Sequence, residues 1–128
     1  MQVKSWDVPI RAAWHRANEL LDVSFRREGL TLEVVEEDTA QTWRMTFERV
    51  QAFKSTTEEC AASLLEHLPE QGGFFEIIDS PWLNELGRGR VAFLDGARHY
   101  VICCYDEVIE VIANGCLFEK IRQTANSG

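Results

Sequence analysis

The sequence lacks a complete signature for catalysis, for metal binding or for nucleotide binding. Its four cysteines include no CxxC pair, which argues against a redox motif and against a zinc site. Two of them, Cys103 and Cys104, are adjacent, so on a strand their side chains would point to opposite faces. We therefore expect Cys60, Cys103, Cys104 and Cys116 to be free thiols in a reducing cytoplasm. The fold should need neither a disulfide nor a metal, and no cofactor is expected.

The sequence also lacks long apolar runs and any stripe of positive charge. No apolar run approaches the ~18 residues of a membrane span, and residues 1–10 lack the basic stretch and apolar core of an export signal. Thirteen Lys and Arg residues oppose 21 Asp and Glu residues, for a net charge of −8. A surface that follows a phosphate backbone needs clustered cations, so neither nucleic acid nor a membrane is the expected partner. The acidity suits a basic protein partner, although acidity that only maintains solubility is the commoner explanation.

The length and the composition that remain are those of an ordinary globular domain. A chain of 128 residues can bury a core as one domain, and 45% of its residues are hydrophobic and 27% charged. No repeat or low-complexity segment interrupts it. We expect a single domain over residues 1–128 with a flexible tail from about residue 124.

The most informative stretch is residues 91–113, which predicts a three-stranded antiparallel meander. Turns at residues 95–96 and 106–107 divide it into three strands. The predicted pairs are Val91 with Tyr100, Tyr100 with Ala113, Ile102 with Val111, and Cys104 with Ile109. These residues share one apolar face, which should point to the core. A one-residue slip at the second turn would mix the two faces.

The opposite face of the meander is mixed in character, yet it is apolar for a surface that faces solvent. Its residues are His99, Val101, Cys103, Tyr105, Val108, Glu110, Ile112 and Asn114. We therefore expect another element to cover part of this face.

Upstream, residues 9–21 carry apolar side chains at helical spacing behind Pro9, which predicts a first helix. Residues 23–26 and 30–34 then alternate between apolar and polar around a turn at residues 28–29. This pattern predicts a β-hairpin.

The cleanest one-sided strand is residues 43–48, and we predict that it extends to about Phe53. Ser55 or Thr56, with an acidic residue three positions later, resembles a capping box. An apolar stripe at helical spacing follows, so a helix is predicted from there to Leu68.

Phe74–Ile78 is a predicted short strand. Ser80 and Pro81 are typical of the N-cap and first residue of a helix, which should run to about Leu86. Together the elements predict an α+β domain. It should contain a strongly curved antiparallel sheet or partial barrel of about seven short strands, with two or three helices and the C-terminal meander.

His99 and Cys103 suggest a base and a nucleophile, with Glu110 as the orienting third group, because a thiol needs a base to become a thiolate. Four residues along a strand span roughly 13 Å at ~3.3 Å per residue, so these two side chains cannot share a hydrogen bond. The predicted register instead places His99 opposite Asn114 and diagonal to Cys116. That spacing could admit a metal or redox pair, although two ligands make a weak zinc site.

Glu110 is a carboxylate between apolar residues on a strand. Burial would be costly unless Arg98, His99 or another Arg partnered it, and a buried carboxylate suits acid and base chemistry. A position on the wet side of the sheet or in a structural ion pair is the commoner outcome.

Three further residues are candidates for contact with a partner. Asp106 and Glu107 are turn residues whose exposure would suit binding. Trp6 lies outside any amphipathic pattern, and tryptophan is enriched at binding hot spots. We therefore predict that Trp6 lies at a partner or ligand surface.

Several short motifs resemble those of a family of small uncharacterised bacterial proteins. They are Trp43, Arg44, Met45, Thr46 and Phe47 with Val50 and Phe53; Ser80, Pro81, Trp82 and Leu83; and His99 and Tyr100 with Asp106 and with Glu110, Val111, Ile112 and Ala113. Together the motifs cover about half of the chain. Proteins of this general kind include immunity-type inhibitors of bacterial toxins, which implies a binding function; no functional residue carries over.

Two functional hypotheses follow. The first is a small cytoplasmic binding protein without chemistry of its own, an inhibitor or adaptor that offers an acidic, aromatic surface to a basic protein; a homodimer is compatible with it. The alternative is a small enzyme or ligand-binding barrel with a pocket on the face that carries His99, Cys103 and Glu110. An apolar pocket with convergent polar groups would favour the alternative.

Overall fold

The computed structural model describes residues 1–87 and 94–123. The strands are β1 (Gln2–Ser5), β2 (Glu19–Arg26), β3 (Gly29–Glu36), β4 (Gln41–Glu48), β5 (Ala52–Thr57), β6 (Phe74–Ile78), β7 (Arg98–Cys103), β8 (Glu107–Ala113) and β9 (Gly115–Gln123). A 3-10 turn (Glu58–Ala61) runs into helix α1 (Ala62–Leu65), and helix α2 is Pro81–Leu86. Sheet A has the strand order β1-β6-β7-β8-β5, sheet B has the order β2-β3-β4-β9, and all pairs are antiparallel.

The predicted antiparallel architecture with short helices is confirmed, but the single curved sheet or partial barrel is wrong. The described residues form two sheets with nine strands, because the chain changes sheet instead of curling one sheet further. The strand predicted to extend to Phe53 ends at Glu48. Arg49 follows with a φ of 53°, which breaks the strand, and the chain crosses from sheet B to sheet A. The return crossing leads into β9, a strand that the sequence analysis did not predict.

A single core lies between the sheets. The predicted hairpin of β2 and β3 and the predicted strand β4 are confirmed, and every second residue of β3 is buried. Sheet B contributes Leu30, Leu32, Val34, Trp43, Met45 and Phe47 to this core. Sheet A contributes Phe74, Tyr100, Ile102, Ile109, Val111 and Ala113. Burial of each large apolar side chain contributes roughly 1.5–3 kcal/mol, so this layer dominates the stability of the fold.

A second, smaller cluster covers the other face of sheet A. Phe75, Ile77, Val101, Cys103 and Val108 are buried there beneath residues of the 3-10 turn, of α1 and of the segment after it: Ala61, Leu64, Leu65 and Leu68. The prediction that another element covers this face is therefore confirmed.

The C-terminal meander is confirmed for two of its three strands, with a different register. Tyr100 pairs with Val111 and Ile102 with Ile109, a shift of two residues from the prediction. Because side chains alternate with a period of two, this shift leaves the predicted faces intact. Residues 91–93 of the predicted first strand lie outside the described residues, and Leu94 does not belong to a strand. The neighbour of β7 on that side is β6.

The helix predicted over residues 9–21 is wrong. Residues 6–18 form bends and a turn, and β2 begins at Glu19. The segment bonds to distant parts of the chain instead of to itself, because Gly72 N donates to Ala13 O at 3.1 Å and Tyr105 N to Asn18 O at 2.8 Å. Tertiary partners for the backbone have overridden the apolar spacing.

The two predicted helix starts differ in outcome. Ser55 and Thr56 belong to β5, so the predicted capping box does not form, and α1 ends at Leu65. Ser80, in contrast, is the N-cap of α2 as predicted, and its Oγ accepts a hydrogen bond from Leu83 N at 3.0 Å. Helices of the described residues all fall short of the length and apolarity needed to cross a bilayer.

Candidate functional site

A chain of hydrogen bonds on the helix-covered face of sheet A joins Ser80, His99 and Glu110. Ser80 precedes α2, His99 lies on β7 and Glu110 on β8. The Ser80 Oγ to His99 Nδ1 distance is 2.6 Å, and the His99 Nε2 to Glu110 Oε1 distance is 2.8 Å. Glu110 is therefore buried and partnered by His99, one of the partners that the sequence analysis considered.

The donors in this chain follow from Glu110, whose carboxylate only accepts hydrogen bonds, so His99 Nε2 is the donor to it. In the neutral tautomer that carries this proton, His99 Nδ1 accepts the hydroxyl proton of Ser80, and the Ser80 oxygen accepts the Leu83 N–H. Lys54 Nζ lies 3.6 Å from the other Glu110 oxygen, so both carboxylate oxygens have partners.

The order of groups is that of a serine, histidine and carboxylate relay, and the relay is buried, with Ser80 and His99 each 3% exposed. The Trp82 ring lies edge-on to the His99 ring, with 5.3 Å between the two ring centres. Lys54 Nζ lies 4.3 Å from the centre of the Trp82 ring. Ser80, His99 and Glu110 do not line the cavities that contain Tyr105, Trp43, Phe25, Trp6 and Asp38. The relay joins the N-cap of α2 to strands β7 and β8 of sheet A.

The thiol chemistry considered for this face is also unsupported. Burial, with the nearby charge of Glu110, raises the pKa of Cys103 to about 12, so this thiol stays protonated at neutral pH. His99 pairs with Ile112 instead of Asn114, so the predicted diagonal with Cys116 is wrong. In the part of the chain that the structure describes, no three His, Cys, Asp or Glu side chains group as metal ligands.

An exposed site lies at one end of the two sheets, where residues 14–19 meet the turn between β7 and β8. We call it the Trp14–Tyr105 surface, and it consists of Trp14, Arg16, Glu19, Glu37 and Tyr105. These residues line a cavity of about 510 Å³. The Trp14 and Tyr105 side chains are 45% and 51% exposed, so both rings present apolar area to solvent beside this cavity.

Buried Asn18 holds this surface in place. Its Nδ2 donates to Arg11 O at 2.8 Å, its Oδ1 accepts from Glu37 N at 3.3 Å, and its carbonyl accepts from Tyr105 N at 2.8 Å. Arg16 adds a bond from its Nε to Tyr105 O, and its guanidinium lies 4.1 Å from the centre of the Tyr105 ring. The irregular segment is thus tied to β3 and to the β7–β8 turn.

The electrostatics of this end are acidic. Burial raises the pKa of Glu107, and the charges of Asp106 and Glu19 raise it further, against a backbone hydrogen bond from Asp106 that lowers it. Carboxylates on Glu19, Glu37, Asp106 and Glu107 outnumber the single guanidinium of Arg16. A cation that approached the exposed rings would therefore be attracted.

The structure brings some of the predicted site residues together and separates others. Asp106 and Glu107 border the Trp14–Tyr105 surface. His99 and Glu110 instead belong to the buried network on the helix-covered face of sheet A. The partly buried ring of Trp6 packs against the core, with its centre 4.3 Å from that of the Tyr100 ring and with contacts to the rings of Phe47, Phe74 and Phe118. Trp6 also lines a surface cavity of about 270 Å³. A binding role for Trp6 stays a prediction.

The sequence analysis missed three residues of these sites. Ser80 carried the signal of an N-cap and no signal of its contact with His99. Trp14 fitted the apolar stripe of a helix that does not form. Tyr105 had the one usable signal, since it directly precedes the exposed acidic turn.

Comparisons with models of protein families, with curated proteins and with solved structures found no match.

Proposed function

We propose that this is a small binding protein without chemistry of its own, which contacts a basic partner protein through the Trp14–Tyr105 surface. The observation that carries the proposal is the pairing of two half-exposed aromatic rings with an excess of carboxylates around one cavity. Aromatic side chains are enriched at interface hot spots, whereas a ring that serves packing alone is usually buried.

The chemistry of the surface favours a cationic side chain of the partner. A Lys or Arg side chain is attracted to the face of an aromatic ring, and carboxylates nearby strengthen the attraction. Arg16 already uses one face of Tyr105 in this way. A partner residue placed against the open side of Trp14 would find Glu19 and Glu37 on the same cavity wall.

The cellular role that fits this surface is that of an inhibitor or adaptor in the cytoplasm. The resemblance to small bacterial proteins, some of them immunity-type inhibitors of toxins, supports such a role. An inhibitor of this kind needs a rigid surface more than a pocket, and the contacts of Asn18 supply that rigidity.

The experiment compares immobilised wild-type protein with the variants Trp14→Ala and Tyr105→Ala in capture from cell extract. Leu117→Ala is the matched control, because Leu117 is 61% exposed and lies on β9 in sheet B. The captured protein is then purified, and its association rate is measured with Asp106→Lys and Glu107→Lys at low salt. We expect both aromatic variants to lose the captured protein, and the reversed charges to slow association by about tenfold or more. Capture that is unchanged by both aromatic variants would overturn the proposal.

One observation favours the alternative, a small enzyme, namely the order of hydrogen bonds from Ser80 to Glu110. The burial of Ser80 weighs against it. A fluorophosphonate probe separates the two functions, since a catalytic serine would be labelled at Ser80 and a buried cap would not.

A further inference from the structure

The edge strand β2 is the least protected edge in the described part of the chain. Residues 1–87 and 94–123 expose seven large hydrophobic side chains, and three of these, Leu21, Val23 and Phe25, lie on β2. Val23 and Phe25 pair with the buried residues Leu32 and Leu30 of β3, so they point to the inner side of sheet B. They remain exposed because sheet A reaches them only at its own edge, where Phe53 lies 5.0 Å from the Phe25 ring.

The backbone of β2 is equally available. A loop of two residues joins β2 to β3 after Arg26, and in such a hairpin the residues that close the loop form a hydrogen-bonded pair. Because these pairs alternate along the strand, the N–H and C=O groups of Val23 and Phe25 point away from β3. β2 is the terminal strand of sheet B, so these groups face an open edge among the described residues.

The charges on this strand are self-complementary when it meets a second copy in antiparallel orientation. A two-fold axis at Ser24 would set Asp22 opposite Arg26 of the second copy, and Val23 opposite Phe25. The outer side of the junction would carry two ion pairs, and its inner side two apolar pairs. The register shift between Leu20 and Asp22 lies just outside this segment, so the paired residues 22–26 are regular.

We propose that the protein forms a homodimer by antiparallel pairing of β2 with β2 of a second copy, which joins the two B sheets into one sheet of eight strands. In this register, Val23 and Phe25 of opposite copies exchange both backbone hydrogen bonds, four bonds in all. The open edge, its exposed apolar residues and its opposite charges are all satisfied by one occupant, a second copy of this chain.

Charge reversal on this strand provides the test. In a dimer of Asp22→Arg, two Arg side chains would face each other at each former ion pair. In a dimer of Arg26→Asp, two Asp side chains would face each other there. Like charges should therefore weaken the self-association of each variant. Mixed together, the two variants form a heterodimer in which both pairs are attractive. Glu85→Arg on α2 is the control, because it changes the net charge as Asp22→Arg does at an exposed position away from the edge.

The measurement is sedimentation equilibrium of the intact chain at low salt. We expect wild-type protein and Glu85→Arg to dimerise with a Kd on the order of 100 μM or tighter. Each single variant should dimerise at least about tenfold more weakly, and the equimolar mixture should regain wild-type association. A wild-type protein that stays monomeric to about 1 mM overturns the proposal. So does a single variant that self-associates as wild type does, or a mixture that associates no better than its components.

Misfolding cannot imitate this result, since only folded partners with matching charges would restore association on mixing. The dimer is also independent of the Trp14–Tyr105 surface, because Asp22 and Arg26 lie outside it. Loss of the homodimer leaves binding of a partner at the Trp14–Tyr105 surface measurable, and loss of partner binding leaves the homodimer measurable.

Discussion

Sheets A and B are both antiparallel, yet they bury their strands differently. In sheet B, β3 alternates between buried and partly exposed residues, because one face meets the core and the other meets solvent. In sheet A, every residue of β7 after Arg98 and every residue of β8 after Glu107 is buried, because sheet B covers one face and the second cluster covers the other. Alternation of apolar and polar residues therefore indicates a strand that is buried on one face. A continuous apolar run indicates a strand in a middle layer, buried on both faces.

The same difference governs polar residues. On the outer face of sheet B, Arg44 pairs with Glu119 at 3.1 Å and Arg122 with Glu33 at 3.5 Å, and solvent reaches all four side chains. Such pairs contribute little to stability. On the covered face of sheet A, His99 and Glu110 are buried and must be satisfied internally.

The largest expected effect comes from placing a charge on the face of each sheet that points away from the other sheet. Val101→Lys should destabilise the fold by at least about 4 kcal/mol, because its ammonium would be buried in the second core, where the opposite carboxylate of Glu110 already has His99 and Lys54 as partners. Val35→Lys, the same substitution on the outer face of β3, should change stability by less than about 1 kcal/mol. Urea unfolding followed by circular dichroism measures both.

If Val101→Lys does not fold, the milder pair Val101→Thr and Val35→Thr makes the same comparison. The buried hydroxyl of Val101→Thr should lower the free energy of unfolding by about 1–3 kcal/mol. Val35→Thr should lower it by about 0.5 kcal/mol or less. Equal costs at the two positions would show that the outer face of sheet A is not covered.

The second effect concerns the aromatic residues between the sheets. Trp43→Ala should cost about 3–5 kcal/mol, because Trp43 is buried in the core and its removal leaves a cavity. Trp6 is partly buried, but it contacts rings from both sheets, so Trp6→Ala should cost about 2 kcal/mol. Thermal and urea unfolding measure both variants. A cost near zero for Trp6→Ala would mean that its ring does not hold the sheets together.

A smaller effect is expected for the polar network of sheet A. Ser80→Ala removes the cap of α2 and the partner of His99 Nδ1, and should cost about 1–2 kcal/mol. Ser63→Ala, at an exposed position in α1, is the control and should be nearly neutral. Hydrogen exchange should then report faster opening of α2 in Ser80→Ala alone, and uniform loss of protection across the sheet would argue against a local role.

The smallest effect is expected at the acidic turn. The pKa of Glu107 is raised in the folded protein, so its ionised form opposes folding, and stability decreases as the pH rises through that pKa. Glu107→Gln should therefore stabilise the protein at pH 7 by only a few tenths of a kcal/mol, because the group is largely solvated. The gain should disappear near pH 3, where both states are protonated. A gain that persisted at pH 3 would contradict the explanation.

Local spacing predicted a good part of the fold. Alternation identified β3 and β4. Turn residues located the β2–β3 loop and divided the apolar run that contains β7 and β8, and a cap residue located the start of α2. The same spacing failed over residues 9–21, where backbone partners far along the chain replaced a helix. β9 was missed because its residues do not alternate cleanly, and its pairing with β4 contains a register shift.

What the sequence determined by itself is which residues share a face, because strand geometry sets a period of two regardless of the neighbours. That is why Tyr100, Ile102, Ile109 and Val111 were assigned correctly to the core although the pairing differed by two residues. Tertiary structure alone decided which faces meet. It brought Ser80 to His99, left Trp14 and Tyr105 exposed at one end, and opened the edge at β2. These outcomes depend on packing between segments distant in the chain, and no local pattern encodes the free energy of such contacts.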